Sequence, residues 1–323
     1  MPKKQRKFAD DGWAVWIDGE DTSTIHINDW LNPKGKSYVD IAIHIRGIKS
    51  SKALNVYVPF PIMKEEIEDV SLSFGDTKIL QAIFSAACIV DYKKNQHTSE
   101  IAYNGKTVDI VHISTTSFDV EAISNGTLIR VGLQELQPHL DNDEGYFIWR
   151  MPHKSLDAIF KPCVDVENAM ERLRDLITTP VVSEKYGYSI RINESRLLPE
   201  EITRIGMFHR QKLSKAVITL SVDEKYELND SNCYRIRRLE ENLYRNYLPK
   251  DYQYDDVITY QWNQSRENNL QGQFNFYYSI TKNSVSRGSM FLYMILLLAV
   301  GVIGDFISEA VQALIGLFKE VVV

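Results

Sequence analysis

Two side chains in one stretch of the sequence have the types needed for acid–base chemistry. Asp40 and His44 lie in "YVDIAIHIRGI", where polar and apolar residues alternate. Alternation with a period of two is typical of a β-strand, so both side chains are expected on the same face. A carboxylate that orients an imidazole can create a general base, but polar residues on a wet strand face often pair without any such role. No activated nucleophile accompanies the pair.

Aromatic residues near the end of the soluble part form a second group of candidates. Tyr260, Trp262 and Tyr277 stand in "YQWNQSRENNLQGQFNFYYS" among amide and hydroxyl side chains. Rings of this kind can bind a ligand by stacking, but they also fill sheet cores or form a belt beside a membrane. Core or belt packing is the simpler interpretation, and ligand binding is the alternative.

Acidic residues in "HLDNDEGYF" resemble the opening of a calcium loop. Asp141, Asp143 and Glu144 supply carboxylates, but the third ligand position, the later bidentate glutamate and the flanking helices are missing. The motifs GxSxG, HExxH and GxGxxG are absent as well. We therefore predict no metal, no cofactor and no enzymatic activity.

Polar residues recur on one side of the C-terminal segment. Asp305, Glu309, Gln312 and Lys319 follow one another at intervals of three, four or seven residues, which places them on one face of a helix. A helix with such a stripe can lie on a membrane surface with the stripe toward water. Alternatively, it can pack against copies of itself around a wet lumen.

The residues before this stripe predict a membrane span. No charge occurs between Arg287 and Asp305, a run of about 25 Å as a helix against a hydrocarbon core of about 30 Å. We predict a transmembrane helix over 288–307 and an amphipathic segment over 305–323, with a buried core helix as the alternative. Lys282 and Arg287 precede the span and Lys319 alone follows it, which favours a single pass with the N-terminal part in the cytoplasm.

The rest of the chain predicts an α+β fold: a β-rich cytosolic body of antiparallel hairpins with two or three helices. Asn-Gly dipeptides at 104–105 and 125–126 predict two hairpins. Helical periodicity occurs over 165–177 and 232–248. We expect a basic, flexible N-terminus over 1–12, a β-rich lobe over 13–152 and a second α+β lobe over 153–281, the two lobes being separate or continuous.

Charge and cysteine content restrict the partners. The net charge is −6, and the basic residues are not clustered in the body, which disfavours nucleic acid. Three widely spaced cysteines and the lack of a secretory signal favour a reducing compartment. The expected partners are therefore a lipid bilayer, a small-molecule or protein ligand, and further copies of the chain.

Three functional hypotheses follow. The first is a tail-anchored, membrane-bound sensor or adaptor whose body binds a ligand or protein. The second is an oligomerising effector whose tail disrupts or perforates the bilayer, an arrangement that resembles, in architecture alone, membrane effectors of bacterial antiviral defence. The third is a membrane-tethered enzyme that uses Asp40 and His44 or another site that carries no recognisable motif.

Overall fold

The computed structural model describes residues 7–19, 22–32, 35–84, 88–91, 97–103, 105–160, 181–206, 213–229, 233–240, 244–249, 251–252, 256–265, 273–285 and 287–321. The chain divides into two compact units. The first, here called the body, comprises residues 1–161 and 186–280, and the second comprises residues 162–185 and 281–323.

One sheet of the chain has seven strands. Its spatial order is β14 (Tyr226–Leu228), β17 (Phe274–Val285), β12 (Val181–Ile192), β1 (Lys7–Ile17), β4 (Ala53–Val58), β10 (Gly126–Gly132) and β9 (Phe118–Ile123). β1 runs parallel to β12 but antiparallel to β4. The sheet therefore joins strands that are distant in sequence.

The other sheet has ten strands. Its order is β15 (Arg235–Arg238), β16 (Val257–Ser265), β13 (Leu213–Asp223), β2 (Ser23–Trp30), β3 (Tyr38–Arg46), β11 (Glu144–Pro152), β8 (Lys106–Val111), β7 (Thr98–Tyr103) and β6 (Cys88–Asp91), and β5 (Glu68–Asp69) pairs with β11. Four α-helices occur in the described residues: α1 (Thr77–Phe84), α2 (Lys154–Phe160), α3 (Glu200–Gly206) and α4 (Arg287–Val321). The predicted β-rich α+β class is confirmed.

Both sheets contribute to one hydrophobic core. Alternate residues of β1, such as Trp13 and Val15, belong to the same buried cluster as Ile41 and Ile43 of β3. Burial of this apolar surface stabilises the body by about 25 cal/mol per Å². The core thus fixes the two sheets against each other within the body.

The outer face of the ten-stranded sheet is also buried, which corrects the expectation of a wet face on β3. Asp40 and Ala42 are 1% and 3% exposed. Phe74, Leu80 and Tyr247 belong to the buried cluster on this face. Sequence periodicity could not reveal this layer because its residues come from distant parts of the chain.

Both predicted hairpins are present, although one turns one residue earlier than expected. In the first hairpin Tyr103 pairs with Lys106, and Gly105 in the turn between them has a φ of 74°. In the second hairpin Ile123 pairs with Gly126, which makes Ser124 and Asn125 the loop. Gly126 thus begins the second strand, where a side chain would collide with the Tyr57 hydroxyl and the Val58 carbonyl, so this position requires glycine.

The helix expected over 232–248 is wrong, at least in its first half. Arg235–Arg238 forms the edge strand β15, which pairs antiparallel with β16. Strand pairing overrides the helical periodicity here, and it leaves Ile236 60% exposed. The helix predicted over 165–177 lies outside the described residues, as do residues 1–6 of the basic N-terminus.

The second unit contains α4, one continuous helix from Arg287 to Val321. Within it, Tyr293–Gln312 is a 20-residue window with a mean hydropathy of 2.1, none of which is buried. It is the one helix of the described chain that is long and apolar enough to cross a membrane. The predicted span and the predicted amphipathic segment therefore belong to a single helix.

Candidate functional site

A buried ion pair marks the outer face of the ten-stranded sheet. Arg150 of β11 stands directly opposite Asp40 of β3. The arginine Nε donates to Asp40 Oδ1 at 2.6 Å, and Nη2 donates to Oδ2 at 2.9 Å. Both side chains are almost fully buried. A two-pronged contact of this kind is strong because the planar guanidinium matches the carboxylate geometry.

Two aromatic side chains complete the shell around the Asp40 carboxylate. The Trp30 indole N–H donates to Oδ2 at 2.7 Å, and the Tyr247 hydroxyl donates to the same oxygen at 2.8 Å. With the two bonds from Arg150, the carboxylate accepts four hydrogen bonds. Such saturation is what allows a charge to remain buried.

Arg150 is held from three directions. Its Nη1 donates to the Tyr247 carbonyl at 2.7 Å, and its Cζ lies 5.0 Å from the centre of the Tyr247 ring. Burial disfavours the charged guanidinium, but the adjacent Asp40 carboxylate more than compensates and raises the pKa of Arg150. The guanidinium therefore keeps its charge in an apolar setting.

A cavity of about 310 Å³ opens beside this ion pair. Arg150 stands opposite Glu68 of β5 as well as Asp40, so the three charged residues form a row across neighbouring strands. The cavity is lined by Glu68, Val70, Ser73, Arg150, Arg245, Asn246, Tyr247 and Leu248. Because charged and amide groups surround it, this cavity is the candidate functional site of the body.

A second polar cluster contains a histidine between two serines. His112 Nδ1 lies 2.7 Å from Ser71 Oγ, and its Nε2 lies 2.9 Å from Ser99 Oγ. Ser71 donates to Asp69 Oδ1 at 2.5 Å, so Nδ1 must carry the proton and Nε2 accepts from Ser99. Burial lowers the pKa of His112, which favours this neutral form. Both serines are buried, at 1% and 4% exposure, and the cluster ties three chain segments together.

A third cluster lies inside the sandwich and joins both sheets. The Tyr188 hydroxyl donates to Asp11 Oδ2 at 2.6 Å and lies 3.1 Å from His153 Nε2. The Tyr278 hydroxyl donates to Asp29 Oδ2 at 3.0 Å. Burial raises the pKa of Asp29 to about 8 and lowers the pKa of His153 to about 3. Both groups are therefore uncharged near neutral pH.

The carboxylates of Glu100, Asp109 and Asp141 approach one another within 4.8 Å. Asn142 donates to Asp109 through both its backbone and its side chain, at 2.8 Å each, and its side chain also donates to Glu100 at 3.0 Å. These donors already serve two of the three carboxylates. Asp141 alone comes from the acidic run that resembles a calcium loop.

Asp40 and His44, the catalytic pair suggested by the sequence, are not brought together. Four residues along a strand span about 13 Å. His44 Nε2 instead lies 3.0 Å from Glu144 Oε2. Burial lowers the pKa of His44, although Glu144 opposes that shift. Asp40 thus belongs to the ion pair beside the cavity, and His44 to a separate, partly buried contact with Glu144.

The three aromatic candidates are divided between core and surface. Tyr260 and Trp262 are 7% and 8% exposed and belong to the main core, where Trp262 stacks on Tyr278 at 5.8 Å. Tyr277 points the other way and is 47% exposed. The three side chains do not form a common platform.

The polar stripe lies on α4. Asp305, Glu309 and Gln312 are exposed there and fall inside the apolar window Tyr293–Gln312. Lys319 also belongs to α4, but its side chain lies outside the described part of the structure.

Comparisons with known proteins give no relative from which to transfer a function. No family model matches the chain, and no curated protein matches it. Among solved structures, the Mu homology domain of Fcho1 from Danio rerio, with a bound Eps15 peptide, aligns with 85% of this chain and 80% of its own length. The identity is 8% and the TM-score 0.12, values too low to indicate a shared fold.

Most residues of the cavity were missed by sequence reasoning. Arg150 interrupts the apolar strand "GYFIWRMP", and a charge in a buried strand must have a partner. That signal could have linked Arg150 to Asp40, the polar residue of another apolar strand. Glu68 and Arg245 carry no comparable signal, because they come from a two-residue strand and a turn.

Proposed function

We propose that this protein is a membrane-anchored binding module, a sensor or adaptor, whose body stands on the cytoplasmic side of a bilayer. The observation that carries this proposal is α4. A 20-residue window with a mean hydropathy of 2.1, none of which is buried, exposes a large hydrophobic surface to water, and such a surface is unfavourable outside a membrane or an interface. At 1.5 Å per residue, the window Tyr293–Gln312 is about 30 Å long, which matches the bilayer core.

The cytoplasmic orientation rests on the distribution of basic residues. Lys282 and Arg287 precede the window, and Lys319 is the basic residue that follows it. Cytoplasmic flanks are enriched in such residues, so the body is assigned to the cytoplasm. The difference is two basic residues against one.

The binding role rests on the cavity beside Arg150 and Asp40. Its volume falls at the lower end of the range of about 300–1,000 Å³ that ligand sites occupy. Its walls also bring a few convergent polar groups together, which gives a ligand orientation. The body of the module is thus suited to a small molecule.

A second candidate is the oligomerising membrane effector, and it has its own observation. Asp305 and Glu309 lie inside the apolar window, where isolated carboxylates cost several kcal/mol each, about 2.5–3.5 on insertion scales. Copies of α4 that turn these carboxylates toward a shared wet interior would lower that cost. Leakage of dye from vesicles that depends on Asp305 would favour this candidate over a simple anchor.

Membrane association can be tested in cells that express the full chain. Leu297 and Leu298 are exposed and lie near the middle of the uncharged run between Arg287 and Asp305. We expect the wild type to remain in membranes after an alkaline carbonate wash, and the variant L297K/L298K to be released, because two central lysines oppose insertion. The matched control L297I/L298I keeps the hydropathy and should stay in the membrane. Release of the wild type by carbonate would refute the anchor.

A further inference from the structure

The buried guanidinium beside the cavity retains hydrogen-bonding capacity. Arginine has five N–H donors, and those of Arg150 make one bond from each nitrogen: two to Asp40 and one to the Tyr247 carbonyl. Two of its N–H groups thus have no partner among the residues that the structure describes. An oxyanion reaching Arg150 from the cavity could accept from them.

The exposed wall of the cavity carries one charge of each sign. Arg245 and Glu68 are both exposed and both line it. Burial lowers the pKa of Arg150, and the nearby carboxylates of Asp40 and Glu68 raise it, so Glu68 is close enough to stabilise the charged guanidinium. Since Asp40 already balances Arg150, the site offers a positive arm and a negative arm with little net charge.

Because the cavity wall carries both signs of charge, it selects against ligands that carry charge of only one sign. A simple anion gains from Arg245 but is repelled by Glu68, and a simple cation meets the reverse situation. A molecule with both charges satisfies both arms. Val70, Tyr247 and Leu248 supply apolar contact for the short carbon chain between them.

We propose that the cavity binds a small zwitterion, which places a carboxylate or phosphate against Arg150 and Arg245 and a protonated amine against Glu68. The volume of about 310 Å³ suits a molecule of metabolite size rather than a peptide. This inference deepens the proposed binding function and rests on it. It does not depend on how α4 meets the bilayer.

Calorimetry on the full chain in mild detergent tests the proposal with defined probes. O-phosphoethanolamine and β-alanine carry both charges, with a phosphate and a carboxylate respectively. Inorganic phosphate, acetate and ethanolamine are the matched fragments, each of which carries charge of only one sign. We expect at least one zwitterion to bind at least tenfold more tightly than either of its fragments, and the stronger of the two identifies the oxyanion.

Two wall substitutions locate the binding. R245Q should weaken zwitterion binding at least tenfold, and E68Q should abolish the preference for the zwitterion over its anionic fragment. R204Q is the control, because Arg204 is also an exposed arginine but lies on α3, where it pairs with Glu200. Absence of binding by both zwitterions, or binding that R245Q and R204Q affect equally, would overturn the proposal. Carbonate resistance of the same protein in cell membranes, before detergent is added, shows separately whether the membrane anchor stands.

Discussion

At the scale of single residues, Asp40 is the group on which the outer face of the large sheet depends. It accepts from Arg150, Trp30 and Tyr247, and so connects strands β2, β3 and β11 to the turn at 244–248. The sequence marks Asp40 as a chemically interesting residue, but for a different reason. Its partners are distant in the chain, which is why its role could not be predicted.

Replacing Asp40 by asparagine should strongly destabilise the body. D40N keeps the shape of the side chain but leaves Arg150 as an uncompensated buried charge, which costs about 3–5 kcal/mol. The free energy of unfolding, from urea titration of the full chain in mild detergent, measures this loss.

The control for D40N is E200Q, which breaks an exposed ion pair. Glu200 and Arg204 are 75% and 77% exposed, and such pairs contribute about 0–1 kcal/mol. If D40N costs no more than E200Q, the buried ion pair is not a stabilising element of this fold.

The buried carboxyl group of Asp29 should make the free energy of unfolding depend on pH. Burial raises its pKa from 3.8 to about 8, so the folded protein holds a proton that the unfolded chain releases above pH 4. Its contribution to stability is complete below pH 4 and is lost as the pH rises toward 8. D29N should remove this loss, on the order of 3–5 kcal/mol, when wild type and variant are compared by urea unfolding across that window.

Other buried titratable groups also change the free energy of unfolding between pH 4 and 8. The effect of Asp29 is therefore measured as the difference between wild type and D29N. His153, whose pKa burial lowers to about 3, acts in the opposite direction, because its contribution is lost as the pH falls below about 6.5. The exposed Asp119 supplies the control D119N. If the free energy of unfolding of D29N changes with pH in parallel with those of wild type and D119N from pH 4 to 8, Asp29 is ionised in the folded protein.

At the scale of elements, local patterns predicted the main strands, both hairpins and the C-terminal helix, but residues 235–238 form a strand where a helix was expected. β1, β2, β3, β13, β16 and β17 all coincide with alternating or apolar runs that bury one or both faces. The periodicity at Ile236 and Leu239 indicated a helix, but β15 pairs with β16 instead. Pairing with a strand distant in sequence therefore determines the secondary structure here, and the local spacing of apolar residues does not.

The first hairpin should depend on the glycine at its turn. Gly105 has a φ of 74°, and a Cβ there would meet no atom within 4 Å, so G105A introduces only backbone strain. We expect a loss of about 1–2 kcal/mol in the free energy of unfolding. Gly132 is equally open but has an ordinary φ, so G132A should be nearly neutral. Equal effects of the two substitutions would argue against a left-handed turn.

At the scale of the whole molecule, a sandwich body with a polar cavity is joined to a chain segment that ends in one exposed apolar helix. The sequence anticipated that helix because 17 successive uncharged residues need no tertiary information to be recognised. The cavity was not foreseeable, since Glu68, Arg150 and Arg245 meet only after folding. The cavity therefore depends on the tertiary fold, whereas the apolar helix can be recognised from the local sequence alone.

Hydrogen–deuterium exchange of the full chain in phosphatidylcholine vesicles tests the membrane anchor most directly. Amides inside a bilayer are shielded from water, whereas those of an exposed helix open and exchange. We expect the backbone amides of Tyr293–Gln312 to remain protected for hours in vesicles, and L297K/L298K to abolish this protection. Rapid exchange of that window in the wild-type protein, with the body still protected, would contradict the proposed membrane span.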